Sequence, residues 1–311
     1  MNKEVSVLSV NISEKKGTIK KPVESIELSS IGVEGDAHSG NWHRQVSLLA
    51  KESIDKFSEE AKRKINFGEF AENITTEGIL LHHTAPLDIF IFGDLELEVT
   101  QIGKKCHGDN CNIFREVGNC VMPKEGIFCR VIKNGALKAG DTLTYYPRVI
   151  KTMIITLSDR ASRGEYADKS GPLTEKLCQD FYKSRNRQYS IEKHIIPDQK
   201  EELAMLLDKA KSEEFDIVFT TGGTGIGPKD ITPEVVKKHI TKEIPGIMEL
   251  IRVKYGMDKP NSLVSRGIAG VMNKTLIYAM PGSPKAVNEY CSEIFKTIEH
   301  SLYMLNELDL H

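Results

Sequence analysis

The chain has 311 residues, 40% of them hydrophobic, which is enough for two domains that each bury a core. Its formal net charge is −2 and its lysines and arginines are scattered, a distribution that excludes the basic patch typical of nucleic-acid-binding proteins. No apolar run approaches the roughly 18 residues of a membrane span, and the N-terminus lacks the apolar region of a signal peptide. We therefore expect a soluble cytoplasmic protein without membrane or nucleic-acid partners.

Short β-type segments dominate the first part of the chain. Segments such as 95–99 and 126–132 are rich in Val, Ile, Leu and Phe, and Gly-Asp pairs at 93–94 and 140–141 interrupt the pattern. Such a succession is typical of strands joined by turns. We predict a mainly β domain over residues 1–147.

Four of the six cysteines lie in this first part, at Cys106, Cys111, Cys120 and Cys129. Their spacing lacks the close Cys-x₂₋₄-Cys pairs of a zinc site. The sequence favours reduced thiols that are buried as small hydrophobic side chains. A structural zinc site stays the less favoured alternative, because His107 adds another possible ligand.

After residue 147 the pattern changes to strands that alternate with helices. The predicted strands cover residues 153–157, 189–196, 215–220 and 275–279. The predicted helices cover residues 172–182, 200–211, 233–239, 246–255 and a long terminal segment from 283 onward. This alternation predicts an α/β domain over residues 148–311, with a mostly parallel sheet covered by helices on both faces.

A glycine-rich loop follows the predicted strand 215–220. Residues 220–233 read Thr-Thr-Gly-Gly-Thr-Gly-Ile-Gly-Pro-Lys-Asp-Ile-Thr-Pro. Glycine has no side chain to pack but leaves backbone N–H groups accessible, so the loop is suited to bind a phosphate. Thr232 and Pro233 are typical of an N-cap and a first helical residue, which would add a helix N-terminus to the site. The spacing is neither that of a P-loop nor Gly-x-Gly-x-x-Gly.

Candidate ligand-binding residues lie at the carboxyl ends of the predicted strands, where parallel sheets bind their ligands. They are Ser158, Asp159, Arg160, Asp198, Thr221, Gly222, Gly223, Thr224, Gly225, Lys229, Asp230, Pro281, Gly282, Ser283 and Lys285. Lys229 and Lys285 are candidates for phosphate contacts. Structural roles compete with these, because Asp198 could cap a helix, Asp230 could form an Asx-turn, and Asp159 could pair with the arginine beside it.

The C-terminal half resembles the molybdopterin adenylyltransferase family. The resemblance rests on Thr-Gly-Gly-Thr-Gly at 221–225, on Asp-Ile-Thr-Pro-Glu at 230–234, and on matches in the family's order at 158–162, 168–172, 196–198 and 280–285. It implies a domain that binds molybdopterin, the pterin of the molybdenum cofactor, and activates it with ATP. It also implies a homotrimer.

The reaction that this resemblance implies is nucleotidyl transfer from ATP to the terminal phosphate of molybdopterin. Two anions must meet in it, which calls for Mg²⁺ held by carboxylates and phosphates. The resemblance assigns catalytic and metal-binding roles to Asp230, which would orient Mg-ATP, and to Asp198, which would assist. It assigns the Thr-Gly-Gly-Thr-Gly loop and segment 281–284 to the pocket for pterin and nucleotide.

The N-terminal half resembles MOSC domains over residues 25–145, with matching segments at 32–38, 44–49, 67–74 and 103–107. The resemblance implies a β-barrel-like module associated with the molybdenum cofactor and with sulfur, in which Cys106 carries sulfur or binds metal. Lys104, Lys105 and His107 would favour the thiolate that this role needs. An inert, buried cysteine is the alternative.

Both halves thus indicate a role in molybdenum cofactor biosynthesis. We predict an enzyme that adenylylates molybdopterin and whose MOSC domain binds the cofactor or carries sulfur. Its expected partners are molybdenum cofactor biosynthesis enzymes or molybdenum enzymes. Two alternatives stay open: a non-catalytic molybdopterin carrier or scaffold, and a molybdenum enzyme centred on the MOSC domain, which the C-terminal half only loads.

If Cys106 carries sulfur, iodoacetamide should alkylate it well below pH 8, because the neighbouring cations stabilise the thiolate. Mass spectrometry of the folded protein, labelled at a series of pH values, measures this, and Cys106→Ser controls for the labelled position. A Cys106 thiol that stays unmodified in the folded protein would contradict the carrier role.

Overall fold

The computed structural model describes residues 2–105 and 120–308. These residues form two compact units, the first from the N-terminal half up to Arg148 together with Leu308, and the second from Val149–Glu307. None of the helices in these residues is long and apolar enough to cross a membrane.

The first unit consists mainly of strands, as predicted. They are β1 (Lys3–Ile12), β2 (Lys21–Val23), β3 (Ser25–Ser29), β4 (Gly32–Val33), β5 (Val46–Ala50), β6 (Ile74–Glu77), β7 (Ile89–Phe92), β8 (Leu95–Ile102), β9 (Ile127–Lys133), β10 (Gly135–Lys138) and β11 (Thr142–Tyr146). Between the strands, the described residues also form the helices α1 (Lys51–Ala61) and α2 (Met122–Glu125) and a 3-10 turn at Leu81–His83.

Seven of these strands close into a barrel. They pair in the order β11-β7-β8-β9-β5-β6-β1, and β1 pairs with β11 to complete the circle. Strand β2 lies beside β1, and β10, β3 and β4 form a separate small sheet. Alternate residues fill the interior: in β8, Leu95, Leu97 and Val99 are fully buried, while Glu96 and Glu98 between them are half-buried. This is the pattern of a strand with one face in the core.

A buried carboxylate lies just before β6. Glu72 is fully buried, and its Oε1 accepts hydrogen bonds from the Gly68 N–H (2.6 Å) and the Thr75 hydroxyl (3.0 Å). Among the described residues its Oε2 has no hydrogen-bond partner. Burial raises the pKa of Glu72 to about 7, although the hydrogen bonds to Oε1 favour the charged form.

Glu72 should make the first unit less stable as the pH rises. Between its ordinary pKa of 4.5 and its folded pKa of about 7, the folded protein keeps a proton that the unfolded chain releases, so the free energy of unfolding falls across this window. The loss is on the order of 2 to 3 kcal/mol. Glu72→Gln, which imitates the neutral acid, should abolish this part of the pH dependence in urea denaturation between pH 4.5 and pH 7.5.

The exposed Glu27→Gln on β3 serves as the control and should leave the pH dependence unchanged. Parallel pH curves for wild type and Glu72→Gln would contradict the assignment to Glu72.

The second unit alternates strands and helices. Its strands are β12 (Val149–Leu157), β13 (Gln188–Ile196), β14 (Ile217–Thr221), β15 (Lys242–Glu243), β16 (Ile268–Met272) and β17 (Thr275–Met280). Its helices are α3 (Asp159–Ser162), α4 (Ser170–Ser184), α5 (Lys200–Ser212), α6 (Thr232–His239), α7 (Pro245–Gly256), α8 (Pro284–Ile294) and α9 (Ile298–Leu305), with a 3-10 turn at Pro260–Val264.

The sheet of the second unit is mixed, in the order β13-β12-β14-β17-β16-β15. The first four strands are parallel, whereas β16, near one edge, pairs antiparallel with both β17 and the edge strand β15. The prediction of a mostly parallel sheet did not include this antiparallel edge. Strand β16 turns directly into β17 through Asn273, whose φ of 56° is a left-handed conformation that asparagine tolerates and that a tight hairpin needs.

Helices cover both faces of this sheet because both faces of its strands are apolar. Along β12, Ile150 and Ile154 belong to a core with α4, α7, α8 and α9. Met153 and Ile155 belong to a second core, on the other face, with α5 and α6. Strands buried on both faces are typical of parallel sheets between helix layers.

Two differences between the predicted and the observed helices go beyond the exact end residue. Thr232 is not the N-cap of α6, which is Ile231, because the Thr232 hydroxyl donates to the Gly222 carbonyl (2.8 Å) and so ties the helix to the glycine-rich loop. The terminal helix predicted from residue 283 is interrupted: α8 ends at Ile294 and α9 begins at Ile298.

Candidate functional site

The predicted site residues lie at the carboxyl ends of four neighbouring parallel strands. Ser158 and Asp159 follow β12, Asp198 follows β13, the glycine-rich loop follows β14, and Pro281 and Gly282 follow β17. Because these strands are adjacent in the sheet, their ends meet at one edge, and two cavities open there.

The smaller cavity has a volume of about 340 Å³ and is lined mainly by charged residues. Its carboxylates are Asp159, Asp198 and Asp230, and its cations are Arg160, Arg163 and Lys229. Equal numbers of both charges leave it able to hold a cation and a phosphate side by side.

Asp159 and Asp198 fix each other across the strand ends. The Asp159 N–H donates to Asp198 Oδ2, and the Asp198 N–H donates to Asp159 Oδ1, both at 3.1 Å. Asp198 therefore does not cap α5, whose N-cap is Gln199 without a side-chain hydrogen bond. Asp159 pairs with Lys229 rather than with Arg160.

Charge and burial act oppositely on these two carboxyls. The hydrogen bond from Lys229, followed by the one from the Asp198 N–H, lowers the pKa of Asp159. Burial raises the pKa of Asp198, and the nearby Asp159 and Asp230 carboxylates add to that rise. A cation that enters this cavity would favour the charged form of Asp198.

The glycine-rich loop turns sharply away from β14. Gly222 and Gly223 have φ angles of +104° and +62°, a region that only glycine enters easily. Within the described residues, no hydrogen bond engages the N–H groups of the four successive residues 223–226. These free donors are what the sequence predicts for a phosphate-binding loop.

Asp230 closes the loop with a turn. Its Oδ2 accepts the Gly227 N–H (2.8 Å), and its own N–H donates to the Gly227 carbonyl (3.0 Å). The competing structural role, a local turn made by this aspartate, is therefore realised in the structure. It does not use the whole side chain, since Oδ1 makes no hydrogen bond within the described residues.

The larger cavity has a volume of about 510 Å³ and is lined by the loop together with residues of α7, the 3-10 turn Pro260–Val264 and α8. Gly223 and Asp230 line both cavities. Two ligands could therefore approach each other across this pair of residues.

Most predicted residues line one of the two cavities. Ser158, Asp159, Arg160, Asp198 and Lys229 line the smaller, Thr224, Gly225, Pro281, Gly282 and Ser283 line the larger, and Gly223 and Asp230 line both.

Thr221, Gly222 and Lys285 lie outside both linings. The buried Thr221 hydroxyl bonds instead to the Ser170 and Thr156 hydroxyls. Lys285 is exposed beside Lys259, whose ammonium lowers the pKa of Lys285.

Sequence reasoning missed several polar and aromatic lining residues of the larger cavity and one charged residue of the smaller. Among them are Arg252, Tyr255, Lys259, Ser265 and Tyr290 in the larger cavity and Arg163 in the smaller. They lie on helices or in connecting segments rather than at the ends of parallel strands, so no local pattern distinguishes them from surface or core residues.

The residues present fit a magnesium ion held together with phosphates. Asp198 and Asp230 line the same cavity, and each uses Oδ2 for a backbone N–H while its Oδ1 makes no hydrogen bond within the described residues. No group of three or more metal-ligating side chains occurs in residues 2–105 and 120–308. Mg²⁺ commonly takes only one or two carboxylates and completes its shell with phosphate oxygens and water.

The predicted sulfur site lies outside the part of the chain that the structure describes, because Cys106, His107 and Cys111 fall within residues 106–119. Of the remaining cysteines, Cys129, Cys178 and Cys291 are buried, and burial raises the pKa of each thiol. These three are the small hydrophobic side chains that the sequence favours.

The fold and site of the second unit define an α/β domain with a glycine-rich loop that lines two cavities at the carboxyl ends of parallel strands. Comparison with known proteins gives its family. A family model described as "probable molybdopterin binding domain" matches residues 153–300, and the model of the MOSC domain matches residues 35–144.

Three relatives match the C-terminal half. Molybdopterin adenylyltransferase of Helicobacter pylori is 35% identical over 155 residues, which are 49% of this chain and 85% of that protein. Molybdenum cofactor biosynthesis protein B of Staphylococcus aureus is 35% identical over 164 residues, or 51% of this chain and 94% of that protein. Gephyrin of Dictyostelium discoideum is 32% identical over 159 residues, which cover 49% of this chain and only 22% of gephyrin.

The chain belongs, through its C-terminal half, to the family of molybdopterin adenylyltransferases and molybdenum cofactor biosynthesis proteins B, and its N-terminal half contains a MOSC domain.

Gly222→Ala should disrupt the site at its most crowded point. An added Cβ would lie 2.3 Å from the Leu157 carbonyl oxygen, at a φ of +104°, so we expect a loss of at least about 2 kcal/mol in the free energy of unfolding of the second unit. Urea denaturation measures it. Gly246→Ala in α7, where the added Cβ meets nothing within 4 Å, is the matched control and should be neutral or stabilising by up to about 1 kcal/mol. Equal stability of both variants would contradict the crowding at Gly222.

Proposed function

We propose that the second unit transfers the adenylyl group of ATP to molybdopterin, with Mg²⁺ as cofactor. The observation that carries the proposal is the pair of cavities that meet at Gly223 and Asp230. With one substrate on each side, the terminal phosphate of molybdopterin and the α-phosphate of ATP would lie close together at this junction. Holding two reactants in that geometry is itself a large part of catalysis.

In the transfer, an oxygen of the molybdopterin phosphate forms a bond to the α-phosphorus of ATP, the bond to the β-phosphate oxygen breaks, and pyrophosphate leaves. The N–H groups of residues 223–225 can donate to phosphate oxygens at the larger cavity. Lys229, Arg160 and Arg163 can offset the charge of further phosphates at the smaller cavity.

Asp198 and Asp230 would hold Mg²⁺ through their Oδ1 atoms, which make no hydrogen bond within the described residues. The ion would supply positive charge where two anions meet. Tyr255 and Tyr290 give the larger cavity aromatic side chains beside a phosphate-binding loop, a combination that suits a flat heterocycle bearing a phosphate.

For the N-terminal half, we propose that the MOSC domain binds the cofactor or carries sulfur through Cys106. We further propose that the protein works with molybdenum cofactor biosynthesis or molybdenum enzymes and assembles as a homotrimer. Support comes from the MOSC match at residues 35–144 and, for the trimer, from the family resemblance of the C-terminal half. Light scattering tests the oligomeric state.

Asp230→Asn should slow adenylyl transfer about a hundredfold or more, because loss of a charge that acts mainly in the transition state costs on the order of 3 kcal/mol. The measurement is chromatography of adenylylated molybdopterin after incubation of the protein with molybdopterin, ATP and Mg²⁺. Asp180→Asn, an exposed aspartate on α4 outside both cavities, is the matched control and should keep wild-type activity.

Activity of Asp230→Asn within about threefold of wild type would remove Asp230 from the mechanism. Wild-type protein that binds molybdopterin but forms no product would instead favour a carrier or scaffold.

A further inference from the structure

One arginine outside both cavities holds the glycine-rich loop. Arg266 lies just before β16 and lines neither cavity. Its Nε donates to the Gly225 carbonyl (2.7 Å), and its Nη2 donates to the Asp230 carbonyl (2.8 Å). Its backbone N–H donates to the Thr224 carbonyl (2.9 Å). Three carbonyls of the loop therefore accept hydrogen bonds from this single residue.

We propose that Arg266 is a positioning residue for the adenylyl transfer. Its side chain connects the two ends of segment 225–230 and thereby fixes the positions of the free loop N–H groups and of the Asp230 carboxylate. The proposal rests on the proposed function for its effect on catalysis. Because Arg266 lines neither cavity, it acts through the loop and not by contact with a substrate.

Only an arginine can make both side-chain contacts. The guanidinium presents its donors in a rigid planar fork, so Nε and Nη2 reach two carbonyls at once, whereas a lysine ammonium is a point charge on a flexible stem. The carbonyl of Asp230 and its carboxylate belong to the same tight turn, in which Asp230 and Gly227 exchange two hydrogen bonds. A shift of this carbonyl would therefore move the carboxylate that lines both cavities.

The remaining donors of the guanidinium contact the Glu234 carboxylate on α6. Nη1 pairs with Oε1, and Nη2 donates to Oε2 at 3.4 Å. The Arg266 and Glu234 side chains are 36% and 50% exposed. Exposed ion pairs contribute little to stability. The contacts of Arg266 therefore serve to orient the loop more than to stabilise the fold. For this reason, Arg266→Lys should stay folded.

The test compares Arg266→Lys with Arg185→Lys, the same change at an exposed arginine that pairs with Glu299 away from both cavities. Arg266→Lys should lower kcat about tenfold to a hundredfold, the effect of a small displacement of a catalytic group. In Arg266→Lys, the loop amides of residues 222–230 should exchange hydrogen faster than in wild type, as measured by mass spectrometry. Its melting temperature should match that of Arg185→Lys. Glu234→Gln, which keeps the fork on the loop, should stay within about threefold of wild-type kcat.

Wild-type kcat in Arg266→Lys would overturn the proposal. If the wild-type protein forms no adenylylated molybdopterin, the proposed transfer itself fails. Hydrogen exchange then tests only whether Arg266 holds the loop: faster exchange of the loop amides in Arg266→Lys supports this role, and unchanged exchange overturns it. If Arg266→Lys does not fold, Arg266→Gln replaces it, and failure of both to fold would overturn the proposal by making Arg266 a structural residue.

Discussion

The site depends on a close approach of backbones at Gly222. The Gly222 N–H donates to the Met280 carbonyl at the end of β17 (2.9 Å), and its carbonyl accepts the Thr232 hydroxyl of α6 (2.8 Å). A Cβ at this position would lie 2.3 Å from the Leu157 carbonyl at the end of β12, and a Cβ on Gly282 would lie 3.3 Å from the Gly222 Cα. Three strand ends and one helix thus meet where no side chain fits, and both cavities open beside that contact.

Around this contact, ion pairs within the protein neutralise some of the charged side chains. Lys229 already pairs with Asp159, and Asp198, the partner of Asp159 in two backbone hydrogen bonds, is the carboxyl whose pKa burial raises. A phosphate that enters the smaller cavity would compete with Asp159 for the Lys229 ammonium. A divalent cation would relieve the repulsion among the carboxylates. In the proposed transfer, the phosphates and the Mg²⁺ of a Mg-nucleotide would thus each find opposite charges in the same cavity.

Local sequence patterns predicted much of the fold and of the candidate site, but not all of either. The strand and helix alternation located the ends of β12, β13, β14 and β17, because parallel strands bring their carboxyl ends to one edge. The antiparallel β16 was missed, and with it Arg266, which lies just before that strand. Gly222, predicted as a ligand contact, lies outside both cavity linings, and its lack of a side chain lets the backbones meet. Arg163, Tyr255 and Tyr290 had no local signal, because helices and the segments that follow them carry such residues on any surface.

The sequence by itself determined that a mainly β half precedes an α/β half, and that a glycine-rich loop with an aspartate ends a central strand. These features follow from periodicity and from the conformations that glycine allows, which act over a few neighbouring residues. Only the tertiary structure decided that Asp159 pairs with Lys229, that Gly223 and Asp230 line both cavities, and that Arg266 holds the loop. Those contacts join residues that are far apart in the chain, and the order of strands in the sheet sets them.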